Sequence, residues 1–258
     1  MTDRLPRRAR RAAYVASLIL FATVWLTFGF GLIDLASGFA TGGNPRGTQV
    51  LSAAYGAVAG IVLPAAFLAQ LTAPTREAGF KQAALVAVAF AFAGALGLDP
   101  LPLLSIAMLA IMLWVLTRLE PAPFALSIRR TDFSRLRATF SVVAAVPAVV
   151  YVLIMTANQR AGLDPVEQAG RPQAGGWTGA ALLAITVLLL SAFGAVRRDG
   201  WRVPIWSAAA ATVAFGLVSA LNLEAPGSVG LSWAVAAMAW GVLSVTVSEL
   251  GARRPRRA

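Results

Sequence analysis

Long apolar stretches, separated by short and mostly basic breaks, dominate the chain. Eight of them, at about 13–36, 50–72, 82–98, 101–117, 138–157, 178–196, 203–222 and 229–248, read as bilayer-spanning helices. Roughly 17–25 predominantly apolar residues are enough for such a helix. The third and fourth stretches lie near the lower limit of that range. Pro100 and Pro102 stop any helix running through the break between them, so 82–117 reads as a tight hairpin. The pattern predicts an all-α integral membrane protein with eight transmembrane helices.

The first stretch follows MTDRLPRRARR, which resembles the charged start of a secretion signal. The apolar run behind it extends to about Ile33. A cleaved signal has an apolar core of only about 7–15 residues, so this run reads as a retained first helix.

The breaks then orient the chain. With the N-terminus in the cytoplasm, only Arg46, Arg160 and Arg171 of the 22 basic residues fall on outer segments. Such a bias sets both termini inside and the protein in a cell (inner or plasma) membrane. An odd number of spans would place the RRPRR tail outside and spoil it.

Two parts of the chain repeat. VAFAFAGALGLD (88–99) aligns without gaps on VAFGLVSALNLE (213–224), and LSIAMLAIMLWVL (104–116) aligns on LSWAVAAMAWGVL (231–243). Upstream, RAAY (11–14) faces RATF (137–140), Trp25 falls opposite Tyr151, and the basic turns GFK (79–81) and GWR (200–202) correspond. The expected organisation is a basic N-terminus (1–12), a four-helix repeat (13–117), a basic linker (118–137), a second four-helix repeat (138–248) and a basic tail (249–258). Each repeat has an even number of spans, so both copies enter the membrane from the same side. The expected 4+4 bundle is therefore a parallel repeat about an axis along the membrane normal.

Composition narrows the function. The chain is 58% hydrophobic and 13% charged, with a net charge of +11. The basic residues sit in clusters between apolar spans, which suits a membrane protein in contact with the lipid bilayer and not a nucleic-acid binder. There is no Cys and no His, which removes thiol chemistry, disulfides, Cys/His zinc sites and histidine relays. No phosphate loop, metal motif or catalytic triad appears, and no cofactor is expected.

Few residues are left for chemistry. Asp99 and Glu224 end the two copies of the repeated motif, each at an outer turn. They read either as helix terminators or as a paired carboxylate site that binds a cation or moves a proton. Asp34, in GFGLIDLAS at the outer end of the first span, reads either as an interfacial acid or as a third member of that site. The middle of each span has no Asp, Glu, Lys or Arg, which argues against a proton antiporter. Gly56 and Gly60 in AYGAVAG give the second span a small-residue face for close helix packing, or for a homodimer seam. Trp177, Trp201 and Trp206 read as interfacial anchors, and Trp25, Trp114 and Trp240 as packing residues.

The linker carries Phe133, Leu136 and Phe140 on one helical face among Arg129, Arg130, Arg135 and Arg137. That suits anionic headgroups or a cytoplasmic partner such as an ATPase. The loops 37–47 and 158–176 place a long connection on the outer face of each half. Three functions remain: a permease subunit or exporter of an apolar or amphiphilic compound, a non-catalytic membrane partner, or an enzyme acting on a lipid or isoprenoid at the outer leaflet.

Overall fold

A computed structural model describes residues 6–39, 48–120, 135–163, 176–196 and 200–253. Linker residues 121–134, most of both outer loops and the last residues of the tail lie outside them. The described residues are helical, with no strand. The helices are α1 (Arg7–Leu26), α2 (Gly31–Ser37), α3 (Gln49–Ala57), α4 (Leu63–Leu68), α5 (Ala73–Gly97), α6 (Pro102–Leu119), α7 (Arg135–Arg160), α8 (Gly176–Val196), α9 (Arg202–Leu221) and α10 (Gly230–Arg253). They make eight spans long and apolar enough to cross a membrane, as in a multi-pass membrane protein.

Two spans are not the uninterrupted helices that the pattern predicts. The first breaks between α1 and α2. The Thr27 hydroxyl donates back to the Thr23 carbonyl at 2.8 Å, and the Gly29 N–H reaches Val24 O at 2.8 Å. Phe30 then takes a left-handed conformation with φ 56°, which is uncommon outside glycine and ends a helix. Gly29 is required there, because a methyl group would lie 2.8 Å from the Trp25 ring.

The second span joins α3 to α4 through a π turn over Val58–Val62. Pro64 follows in the first turn of α4. Its missing N–H and its ring disturb the ladder just upstream, and a widened turn absorbs the mismatch.

The third span starts at Ala73, well before the expected residue 82. A proline in its first turn suits a helix start. Glu77 and Lys81 pair at 2.6 Å one turn apart, which supports the added turns. The turn into α6 has Leu98 in the left-handed region, φ 54°.

Packing sorts the spans into inner and outer sets. The second and sixth have 72% of their apolar window buried, and the third and seventh are next. The fifth has 11% and the eighth 17%. The outer spans therefore turn broad faces of Val, Leu and Ile away from the protein, as lipid-facing helices do. Trp25, Leu18, Phe67, Leu109 and Leu182 fill the core between the inner and outer sets.

One end of the bundle carries the ion pairs. Arg76 pairs with Glu120 between the starts of α5 and the end of α6. Arg202 pairs with Glu249 at 2.7 Å between the start of α9 and the end of α10. Each hairpin, α5–α6 and α9–α10, is thus closed at this basic face by one Arg–Glu pair. The tight turns lie at the opposite face. Toward the basic face, Trp114 is 57% exposed on the bundle surface, stacked with Arg118 at 5.3 Å and not packed in the core as expected. Trp201 does the reverse: it is buried between the guanidiniums of Arg137 and Arg202.

Candidate functional site

The three acids of the opposite face are held in different ways. Asp99 sits in the α5–α6 turn, and its Oδ1 accepts the Leu101 N–H at 3.0 Å. That is a local turn closed by a side chain, and it starts α6. Glu224 is exposed in the α9–α10 turn. This turn is pinned by Asn222, whose Nδ2 donates to Gly38 O at 3.0 Å and to Val218 O at 2.9 Å. Among the described residues no hydrogen bond or ion pair links Asp34, Asp99 and Glu224.

Asp34 is held differently. It lies on α2, the short helix beyond the break, which packs backbone to backbone against the π turn and α3. A methyl at Gly31 would sit 2.6 Å from Gly60 N. One at Gly60 would sit 2.8 Å from Gly31 O, and one at Gly56 would collide with Leu35 N. Gly56 and Gly60 therefore face the first span inside the chain. This approach carries Asp34 to the side of the second span. Its carboxylate is partly buried and makes no hydrogen bond or ion pair among the described residues. Its own carbonyl accepts the Ser37 hydroxyl at 2.8 Å.

Tyr55 of α3 lies within electrostatic reach of Asp34 and of the Ser105 side chain of α6. Tyr55 also meets Phe90 edge-on at 6.5 Å, and Phe90 meets Trp25 at 6.2 Å. Trp25 is fully buried, and its indole N–H has no partner among the described residues. The result is an acid, two hydroxyls and three rings reaching from the α2 side of the bundle into its core. A carboxylate with aromatic neighbours suits an organic cation, which gains both charge pairing and contact with ring faces. Among the described residues no three His, Cys, Asp or Glu come together as metal ligands.

A second polar point lies deeper. Gln82 of α5 is fully buried. Its Nε2 donates to Val62 O, at the end of the π turn, at 2.9 Å, and to the Ser207 hydroxyl of α9 at 3.0 Å. Ser207 passes its own proton to Val203 O at 2.6 Å. Three inner spans are tied here, and Gln82 Oε1 has no partner among the described residues.

Tyr55, Ser105, Gln82 and Ser207 have no part in the expectations drawn from sequence. They are neutral polar residues inside apolar runs, where the signal sought was charge. The nearest thing to a signal was Gln82, at the edge of an otherwise apolar stretch.

Comparison of the chain with protein-family models, with curated proteins and with solved structures gave no match.

Proposed function

We propose that the chain is a transport-related membrane protein, a permease subunit or exporter, whose cargo is an amphiphile bearing a cationic group. One observation carries this reading: a partly buried carboxylate without a partner among the described residues, on an interrupted span docked against a π turn. Discontinuous helices and π turns are recurrent at binding sites in membrane proteins, and an acid left unpaired beside a bilayer is costly without a use. The enzyme alternative needs two carboxylates acting together, and among the described residues no hydrogen bond or ion pair links these acids. The test is efflux of a fluorescent lipophilic amine from vesicles holding the purified protein. Release above that of protein-free vesicles is expected; equal rates would reject the reading.

We also propose that the bundle is a duplicated four-helix unit. The second and third spans of the first half and the sixth and seventh of the second are the most buried, which supports it. So do paired ring contacts: Trp25 with Phe90 in the first half and Tyr151 with Phe215 at 5.6 Å in the second. Val86, Phe90 and Ala93 are buried, as are their counterparts Ala211, Phe215 and Val218.

The last helices need a changed register. With 104–116 set on 231–243, buried Leu109 and Leu116 face exposed Ala236 and Leu243. Without the two-residue gap they face buried Ala234 and Gly241. Burial thus favours an ungapped match of the whole hairpin, in which Gln82 is the counterpart of Ser207. Two equivalent positions in direct contact lie on a two-fold axis. The chain has no native cysteine, so Gln82→Cys with Ser207→Cys gives a clean probe. An oxidant or short thiol cross-linker is expected to join them within one chain. Failure, with normal insertion, would remove the axis from this position.

Both termini are proposed to be cytoplasmic. Reporter fusions after residue 170 are expected to read outside and fusions after Ala258 inside. A tail that reads outside would overturn the orientation.

A further inference from the structure

The two interrupted spans cross at their interruptions. A methyl group at Gly31, just beyond the break in the first span, would lie 2.6 Å from Gly60 N and 2.7 Å from the Ala59 carbonyl carbon, both in the π turn. Gly60 stands midway along the second span, Gln49–Leu71, so the crossing lies near the middle of the bilayer. Asp34 follows Gly31 by three residues, about 4.5 Å of helix. Its carbonyl carbon is 2.8 Å from where a methyl at Gly56 would stand. Gly56 is itself about 10 Å along the axis from the outer end of the span at Gln49. The carboxylate is therefore carried deeper than its place at the end of an apolar run implies.

Each interruption frees a backbone oxygen. In an α-helix Trp25 O would accept the Gly29 N–H, and in a π turn the Phe30 N–H. The first of these goes to Val24 O at 2.8 Å and the second to Thr27 O at 3.0 Å. Ala59 O would accept from Leu63 or from the next residue in the same way. The Leu63 N–H goes to Val58 O, and Pro64 has none to give. Both carbonyls thus lose both of their ordinary donors. Trp25 and Ala59 are fully buried, and α1 packs against the π turn. A buried carbonyl without a donor costs solvation that some other partner must return.

We infer that this crossing binds one monovalent alkali cation, held by the Asp34 carboxylate and the freed carbonyls of Trp25 and Ala59. Unwound carbonyls of discontinuous helices coordinate such ions near the membrane midplane in transporters. One carboxylate balances one positive charge, whereas a divalent ion takes more oxygens of that kind. The ion and a cationic cargo exclude each other at a single carboxylate, so the two are exchanged. That coupling rests on the transport reading above; the ion site is tested with no cargo present.

The test is thermal unfolding of the purified full chain in sodium chloride against choline chloride of equal ionic strength, without amine. Sodium is expected to raise the unfolding temperature by about 3 °C, saturating with concentration. Asp34→Asn is expected to abolish the rise, while in choline chloride it is no less stable than the parent. Pro64→Ala returns an N–H at that position and lets the helix close over Ala59 O. It is expected to keep the helical content and lose the sodium response. The double variant Asp99→Asn with Glu224→Gln is expected to keep the full rise. No rise in the parent, a rise kept by Asp34→Asn, or one lost in the turn variant would overturn the site. A rise kept by Pro64→Ala would remove the π turn carbonyl from it. Should Pro64→Ala not insert, Asp34→Asn and the turn variant decide alone. Amine efflux without a sodium response would reject the ion site and leave the transport reading standing; a sodium response without efflux would do the reverse.

Discussion

Gly56→Ala is expected to lower stability by about 3 kcal/mol, at the upper end of what overpacking costs. The added methyl group would meet only backbone: Leu35 N, Asp34 C at 2.8 Å and Leu35 Cα at 2.8 Å. A flexible side chain could turn aside, but two helix backbones can only move apart. Separating α2 from α3 would also undo the contact between Gly31 and Gly60. Detergent-solubilised protein titrated with a denaturing detergent, followed by circular dichroism, reads the change. Gly251→Ala is the control. Nothing lies within 4 Å of that position, and there alanine is expected to be neutral or to gain up to about 1 kcal/mol in helix propensity. Equal behaviour of the two variants would mean that α2 is not seated on the second span.

Asp34→Asn is expected to separate stability from function. The carboxylate is partly buried and has no hydrogen bond or ion pair among the described residues, so ionising it costs solvation that none of them returns. The amide is close in size and carries no charge. Stability is therefore expected to hold or rise by about 1 kcal/mol, while amine efflux falls at least tenfold, about 1.4 kcal/mol of lost binding. Functional groups commonly trade against stability in this way. A helix-ending acid would give the opposite pair of results, with stability lost and efflux kept. Thermal unfolding and vesicle efflux on the same preparation decide between them.

The eight spans were legible because crossing a membrane demands length and apolarity, and both are sequence properties. Interruptions within them were not. The break at Thr27–Phe30 depends on a left-handed phenylalanine, which no residue preference announces; only the flanking Gly29 and Gly31 hinted at it. The start of α5 was masked by Arg76, Glu77 and Lys81, which lower local apolarity while remaining helical. The four-residue spacing of Glu77 and Lys81 was the missed signal.

Site residues followed the same division. Asp34 stood out as a charge beside an apolar run. Tyr55 and Ser105 did not, because their approach brings together the second and fourth spans and exists only in the fold. The recurrence of Asp99 and Glu224 stood out in the sequence, but recurrence alone says nothing of what each turn does locally. The local role of Asp99 was readable from DPL, an acid two residues before the N–H that it accepts.

Equilibrium binding of a labelled lipophilic amine to the purified chain tests the central claim most directly, that Asp34 and not the pair of turn acids forms the site. The parent and the double variant Asp99→Asn with Glu224→Gln are expected to bind alike, and Asp34→Asn at least tenfold more weakly. Full binding by Asp34→Asn, or loss of binding in the double variant alone, would contradict it.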